Sequence, residues 1–160
     1  MSKNKKIPAS KCNPKKQIKK DNIISEKRIY ANTNPSKFGD MHPKWVFSRI
    51  DTEKWTIHDE FVNVILEKLI SFEQMTWNEI LAQTRNGKGS NTTSNHNIPV
   101  GSIIRDAQKR LEELHIVNDE IFSLSLDNCK RIWGILDSGT LQIIWYDPCH
   151  EIYHVSKRHT

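Results

Sequence analysis

The stretch WYDPCHEIYHV, residues 145–155, collects the side chains of this chain that are best suited to chemistry. It contains the thiol of Cys149, the imidazoles of His150 and His154, and the phenol of Tyr153. An imidazole titrates near neutral pH, so it can transfer a proton or ligate a metal ion. Three interpretations follow: the edge of an active site, a metal site, or the last strand of a small sheet.

A zinc site would draw on Cys149, His150, His154 and His159. On a strand, His150 and His154 point to one side and Cys149 to the other, so three ligands from this stretch conflict. Structural zinc sites usually take pairs of ligands from two separated segments, and no second Cys/His pair exists here apart from the lone Cys129. We therefore expect neither a metal ion nor another cofactor.

Cys149 also stands beside His150, which raises the question of a thiol nucleophile activated by an imidazole. Sequence neighbours on a strand face opposite ways, whereas a nucleophile and its base must lie within hydrogen-bond reach. A buried or unreactive thiol is the favoured interpretation of Cys149.

Predicted strands must position these groups near the end of the chain. Residues 122–126, FSLSL, alternate between apolar and polar and indicate a half-buried, peripheral strand. Residues 129–136 and 140–147 are apolar on both faces, as expected of inner strands. Residues 137–139, Asp-Ser-Gly, supply a three-residue hairpin loop, and residues 151–155 extend the edge of the sheet.

Helices are predicted in the middle of the chain. Apolar residues recur at helical spacing over residues 54–72 and 101–115. A shorter helix over 76–83 opens with Thr76 and Glu79, three residues apart as in a capping box. These helices supply apolar faces that a sheet can bury.

The order of these elements predicts the fold class. A short strand over residues 45–50 precedes the helices, and a polar loop over 86–97 separates the second helix from the third. Strand, two or three helices and a C-terminal antiparallel meander form an α+β fold, with the helices on one face of the sheet. We expect one domain over residues 44–160.

Positive charge is concentrated at the start of the chain. Residues 1–43 hold eleven Lys or Arg against three Asp or Glu, a net charge of +8, whereas the remainder holds 13 basic and 16 acidic residues, a net charge of −3. Few large apolar residues lie in positions 1–40, so we predict a basic disordered tail. Such a tail either binds nucleic acid or keeps the chain in solution. The candidate nucleic-acid contacts within it are Lys15, Lys16, Lys19 and Lys20.

Composition also bears on the compartment. The basic N-terminus is not followed by an apolar signal region, and no apolar run approaches the length of about 20 residues that a membrane-spanning helix needs. Three widely spaced cysteines do not make a disulfide framework. We expect a cytoplasmic protein with reduced thiols and no membrane partner.

The C-terminal segment FSLSLDNCKRIWGILDSGTLQIIWYDPCHEIYHV resembles the RelE/ParE/YoeB superfamily of small bacterial toxins. Members of that superfamily have a strand, a helical pair and a terminal antiparallel meander. An Arg commonly opens the central strand of the hairpin, and a basic or His segment followed by a Tyr comes after the last strand. Arg131, His150 and Tyr153 occupy the corresponding positions here.

This resemblance implies metal-independent cleavage of mRNA, with RNA or the ribosome as a partner and an antitoxin-like protein as another. Arg131 would hold the phosphate through two hydrogen bonds, and His150 or His154 would act as base or acid. Tyr153 would donate a proton or stack on a base. Trp133, two residues from Arg131 on the same strand face, would offer a stacking platform, and Lys130 a further nucleic-acid contact.

A second hypothesis has no catalysis in it. Residues 115–122, HIVNDEIF, are acidic where RNA-cleaving members of the superfamily carry a basic cluster. Under this hypothesis Arg131 pairs with a surface carboxylate, Trp133 belongs to the core, and His150 and Tyr153 are edge residues packed over the sheet. The chain would then be an accessory protein of a bacterial mobile element that binds nucleic acid or another protein.

Overall fold

The computed structural model describes residues 31–57, 60–84 and 93–154. Over these residues the chain forms five strands and three α-helices. Their order is β1 (Lys44–Val46), α1 (Glu67–Glu73), α2 (Trp77–Ala82), β2 (His96–Pro99), α3 (Arg105–Glu113), β3 (Glu120–Ser125), β4 (Arg131–Asp137) and β5 (Thr140–Asp147).

All five strands belong to one sheet with the order β1-β5-β4-β3-β2. β2 to β5 pair antiparallel with their neighbours, and β1 lies parallel to β5, with Trp45 opposite Leu141. A parallel pair needs a long connection, and here α1, α2 and the rest of the sheet lie between the two strands in sequence. The predicted α+β class and the C-terminal antiparallel meander are confirmed.

Helices cover both faces of the sheet, so the prediction that they pack on one face is wrong. Ile132 and Leu136 of β4 belong to a core cluster that contains side chains of α1 and α2. Trp133 and Ile135 of the same strand belong to a second cluster that contains Ala107 and Leu111 of α3. A strand that is apolar on both faces must be buried on both, and α3 provides the second layer.

The helical pair on the first face is fixed by local and distant contacts. Thr76 accepts a hydrogen bond from the N–H of Glu79, whose carboxylate accepts one from the N–H of Thr76, so the predicted capping box is confirmed. Trp77 is fully buried, and its Nε1 donates to the carbonyl of Gly139 at 2.8 Å. The preceding helix, predicted from residue 54, begins only with a π-helical turn at Phe61–Leu66 and continues as α1.

β3 is an inner strand and not the peripheral strand that its alternation predicts. β2 pairs along its outer side, with His96 opposite Ser123, and Ser123 is only 2% exposed. β2 starts inside the segment predicted as a polar loop over residues 86–97. The sequence does not predict this strand, because Ile98 is its one buried residue and a single apolar residue is too weak a signal. Residues 86–92 of that loop lie outside the described residues.

A tight turn and a β-bulge shape the β4–β5 hairpin. Ser138 and Gly139 have φ values of 50° and 82° and form a two-residue loop, shorter than the predicted three-residue loop. A register shift lies between Trp133 and Gly134. A Cβ at Gly134 would stand 2.3 Å from the carbonyl oxygen of Gln142, so only glycine fits there.

The folded domain begins before the predicted boundary at residue 44. Phe38 belongs to the first core cluster, and its side chain is 2% exposed. The N–H of Ser138 donates a hydrogen bond to the carbonyl of Asn32 at 3.0 Å. Residues 31–40 are therefore part of the domain, since Phe38 provides an apolar anchor within a polar segment. The strand predicted over residues 45–50 is shorter in the structure and covers Lys44–Val46. The disorder and the nucleic-acid contacts predicted for residues 1–30 lie outside the described residues.

Candidate functional site

The end of the sheet where β4 begins and β5 finishes holds most of the predicted site. Arg131 and Asp147 are partners at that end of the β4–β5 ladder. The carboxylate of Asp147, which is fully buried, accepts hydrogen bonds from the N–H groups of Glu151 at 2.9 Å and Ile152 at 3.0 Å. These two hydrogen bonds turn the chain back across the end of the sheet. Residues 151–154 therefore do not extend the edge of the sheet, contrary to the prediction for residues 151–155.

His150 lies inside the turn that Asp147 stabilises. Its φ is 59°, in the left-handed region that residues other than glycine seldom adopt, and its side chain is half-buried. Backbone strain of this kind persists only where surrounding contacts hold it, and it is concentrated at functional sites. The turn thus brings one predicted catalytic residue, His150, to the same end of the sheet as Arg131.

Arg131 is buried and not on an open surface. It is 3% exposed, and its Nη1 donates to the carbonyl of Asp127 at 3.3 Å. Trp133 is fully buried beneath α3, so its predicted role as a stacking platform for bases is wrong.

Tyr153 is separated from the other two predicted catalytic residues. The carbonyl of Ile152 accepts a hydrogen bond from the N–H of Ile104 at 2.9 Å, which ties this segment to the start of α3. Tyr153 is half-buried and packs against the core cluster on that side of the sheet, and His154 is exposed beside it. The structure therefore brings Arg131 and His150 to one end of the sheet and leaves Tyr153 on the α3 face.

A polar network at this end was missed by the sequence reasoning. Lys130, half-buried, forms an ion pair with Glu60 at 3.2 Å, and the hydroxyl of Tyr146 donates a hydrogen bond to the same carboxylate. Glu60 lies 70 residues from Lys130 and 86 residues from Tyr146 in sequence. No local pattern joins residues that far apart, so only the fold reveals the network.

The network shifts the titration of both its acidic members. The hydrogen bond from Tyr146 and then the one from Lys130 lower the pKa of Glu60 below its usual value. Burial, together with the neighbouring Glu60 carboxylate, raises the pKa of Tyr146 above its usual value. At neutral pH Glu60 is therefore ionised and Tyr146 is protonated.

The β3–β4 loop holds Lys130 and Arg131 in place. The carboxylate of Asp127 accepts hydrogen bonds from the N–H groups of Cys129 at 2.9 Å and Lys130 at 2.8 Å. Burial opposes ionisation of Asp127, but these backbone N–H groups outweigh it, and the pKa is lowered overall. Asp127 thus acts as an ionised cap inside its own loop.

We name Glu60, Lys130, Arg131, Tyr146 and His150 the sheet-end cluster. It combines two cations, an ionised carboxylate, a protonated phenol and an imidazole at one end of the sheet. These are groups that can bind a phosphodiester and transfer protons. Within residues 31–57, 60–84 and 93–154, no group of three His, Cys, Asp or Glu side chains is arranged to hold a metal ion.

A polar groove adjoins the sheet-end cluster. It has a volume of about 410 Å³ and runs between α1, the segment that follows α2, and the β3–β4 loop. We name it the α2 groove, and its lining includes Lys68, Phe72, Met75, Ser94, Asp127 and Arg131. Asp127 and Arg131 therefore connect the groove with the sheet-end cluster.

Comparisons of the chain with known protein families, with curated proteins and with solved structures found no match. Among the helices that the structure describes, none combines the length and the apolar character required to cross a membrane.

Proposed function

We propose that the protein acts on RNA at the sheet-end cluster and cleaves it without a metal ion, as a RelE-like chain. The order of elements supports this, since a strand, a helical pair and an antiparallel meander occur in the sequence that the resemblance implies, with β2 and α3 inserted before β3. One observation carries the proposal: the turn held by Asp147 brings His150 to the end of the sheet that bears Lys130 and Arg131.

RNA cleavage of this kind moves two protons. The 2′-hydroxyl loses a proton and its oxygen bonds to the adjacent phosphorus, while the 5′-oxygen departs and gains a proton. A 2′,3′-cyclic phosphate and a 5′-hydroxyl result. His150 carries the imidazole of the cluster, a group suited to both accepting and donating a proton, so we assign it one of the proton transfers.

Lys130 is the cation that we assign to the phosphate. Its side chain is 27% exposed, whereas Arg131 is buried and supports the loop through Asp127. Glu60, ionised beside Lys130, orients the ammonium group. Arg131, which the resemblance implies as a phosphate ligand, is therefore assigned as a positioning residue. Trp133 and Tyr153 are not part of the reacting centre.

The test compares cleavage of a labelled single-stranded oligoribonucleotide by the full chain and by its His150→Asn variant. Reactions without ribosomes contain a chelator, and parallel reactions with ribosomes keep the Mg²⁺ that ribosomes need. Asn tolerates the left-handed backbone of residue 150, so the variant removes the imidazole and keeps the turn. His115→Asn is the matched control, because His115 is exposed with a φ of 55° at the far end of α3.

We expect the wild type and His115→Asn to produce cyclic-phosphate ends at the same rate. His150→Asn should be slower by about 100-fold or more, the usual contribution of a general acid or base. If the wild type cleaves nothing in either reaction, or if His150→Asn retains full activity, the proposal of cleavage fails.

A non-catalytic binding protein is the second candidate, and the burial of Arg131 favours it. A guanidinium that is 3% exposed does not reach a phosphate without movement of the loop around it. Binding would then depend on the basic residues 1–30, and affinity would fall steeply with salt because counterions are released. Loss of RNA affinity and of its salt dependence on deletion of residues 1–30, without cleavage by the intact chain, supports this candidate.

An antitoxin-like protein is the further partner that the resemblance implies, with the cytoplasm as the compartment. Phe47 and Phe61 lie edge to face with ring centroids 5.8 Å apart, and the adjacent Val62 is 64% exposed. This apolar surface adjoins β1, which forms one edge of the described sheet. Open strand edges and apolar patches are where a partner strand or helix adds.

A further inference from the structure

We infer that the α2 groove binds one nucleotide of the RNA, next to the phosphodiester held at the sheet-end cluster. This inference rests on the proposed function and extends it, because it assigns a recognition site to a part of the molecule outside the reacting centre. The frame of the groove, its lining, its charge and its size support this assignment.

The frame is fixed by Asn95, which is 1% exposed. Its Nδ2 donates to the carbonyl of Ile80 at 2.8 Å and to Oε1 of Gln83 at 3.1 Å. Its Oδ1 accepts a hydrogen bond from the N–H of Ser125 at 2.7 Å. One buried amide thus joins the end of α2 to the end of β3, so the two walls of the groove are held at a set distance before any ligand arrives.

The lining matches the two kinds of surface on a nucleobase. Phe72, Met75 and Leu126 present apolar atoms, and the faces of a base are apolar and flat. Ser94 and Asn128 present a hydroxyl and an amide, which can form hydrogen bonds with the polar edge of a base. A purely apolar ligand would leave those polar groups unpaired, whereas a base satisfies both kinds of lining.

The charge of the lining matches an anion. Lys68, exposed on α1, is the cation of the lining that a phosphate can reach. The guanidinium of Arg131 is buried and supports the loop, and Asp127 is the one carboxylate of the lining. Asp127 lies within the electrostatic influence of both Lys68 and Lys130. A phosphate beside Lys68 and a phosphate beside Lys130 would therefore both lie near Asp127.

The size of the groove suits one nucleotide. Its volume of about 410 Å³ falls within the range of about 300–1,000 Å³ that is typical of small-molecule sites. Since Arg131 belongs to both regions, and Asp127 of the groove accepts a hydrogen bond from the N–H of Lys130 in the cluster, a nucleotide in the groove is continuous with the sheet-end cluster. The groove would select one base of the target while the cluster acts on the neighbouring linkage.

The test measures binding of adenosine, cytidine, guanosine and uridine 5′-monophosphates to the full chain by calorimetry and by amide chemical shifts. Ser71→Tyr fills the groove from an exposed position of α1, and Ser102→Tyr places the same ring at an exposed position on the α3 side. Lys68→Gln removes the cation, and Lys109→Gln is its control on the exposed side of α3. Inorganic phosphate serves as a competitor that lacks the base.

We expect at least one nucleotide to bind with a Kd of about 1 mM or tighter. Ser71→Tyr should abolish this binding and Lys68→Gln should weaken it about tenfold, as loss of one charge-assisted hydrogen bond does. Both control variants should bind as the wild type. Binding of no nucleotide, equal binding by Ser71→Tyr and Ser102→Tyr, or phosphate binding as tight as nucleotide binding would each overturn the inference.

The outcomes separate this inference from the proposed function. If Ser71→Tyr still cleaves RNA at the wild-type rate and with the same base preference, the groove inference fails and the cleavage proposal stands. If nucleotides bind in the groove but no RNA is cleaved, the cleavage proposal fails and the groove remains a nucleotide site.

Discussion

Arg110 binds the carboxylate of Asp51 at two points, with Nε 2.7 Å from Oδ2 and Nη2 2.8 Å from Oδ1. The two residues are 59 positions apart, and Asp51 is 1% exposed. Oδ2 of Asp51 also accepts a hydrogen bond from Nε1 of Trp145 at 3.1 Å. One carboxylate therefore joins the segment after β1 to α3 and to β5, and it holds the second helical layer against the sheet.

Asp51→Asn should lower the free energy of unfolding by about 3 kcal/mol, because it leaves a partly buried guanidinium without its one buried partner. Urea denaturation monitored by tryptophan fluorescence measures this change. The control is Glu53→Gln, which removes an ion pair of the same Arg110 with a carboxylate that is 72% exposed, and it should cost less than about 1 kcal/mol. Similar losses for the two variants would contradict the central role of Asp51.

Stability should fall with acid through the same residue. Burial raises the pKa of Asp51, but the hydrogen bonds from Arg110, the backbone and Trp145 lower it well below its usual range overall. The unfolded carboxylate takes up its proton near pH 3.9, before the folded one does, so Asp51 stabilises the fold above that pH and loses its effect as the pH falls further. Denaturation midpoints between pH 7 and pH 2 should decline less steeply in Asp51→Asn than in the wild type. Parallel declines would refute the assignment.

Trp133 and Trp145 provide a matched pair in one core cluster. Both are fully buried, but Nε1 of Trp145 donates to Asp51, whereas Nε1 of Trp133 has no hydrogen-bond partner in the described structure. Phe in place of either Trp leaves a similar void, and only Trp145→Phe also removes a donor from a buried carboxylate. We expect Trp145→Phe to cost about 1–2 kcal/mol more than Trp133→Phe in urea denaturation. A larger loss of unfolding free energy for Trp133→Phe than for Trp145→Phe would contradict this prediction.

Gly134→Ala should destabilise the protein by about 2–3 kcal/mol, because the added methyl group forces a packed strand apart. The obstacle is the carbonyl oxygen of Gln142, 2.3 Å from the ideal Cβ, and it belongs to the backbone of β5. Gly101→Ala is the control, since nothing lies within 4 Å of its Cβ position. Thermal unfolding of the two variants should show a lower midpoint for the first alone, and equal midpoints would disagree with the close approach of β4 and β5.

Tyr146→Phe should raise the pKa of Glu60 towards its usual value. The hydroxyl of Tyr146 is the largest cause of the lowered pKa, and the ion pair with Lys130 remains in the variant. A carbon-detected NMR titration of the glutamate carboxyl groups follows the change directly. Glu79, whose pKa is lowered by its own hydrogen bonds with Thr76, is an internal reference that should not move. An unchanged titration of Glu60 would mean that the phenol does not stabilise its ionised form.

Sequence reasoning succeeded where the signal lies within a few residues. The capping box of Thr76 and Glu79, the strand character of residues 129–136 and 140–147, and the turn at Ser138-Gly139 are all local patterns, and the structure contains each of them. It failed where burial of a single residue was the signal. β2 has one buried side chain, Ile98, and residues 31–40 have Phe38, so neither segment showed a periodic pattern.

For the candidate site, too, local properties could be predicted from the sequence and properties that depend on distant residues could not. The types of group at the C-terminus and the concentration of basic charge in residues 1–43 can be read from the sequence, because each residue contributes to them independently. The burial of Arg131 and Trp133, the link from Glu60 to Tyr146 and the separation of Tyr153 from His150 were decided by the tertiary structure. Those properties depend on which distant residues cover a strand and on which side of the sheet a chain turns, and no short stretch of sequence contains that information.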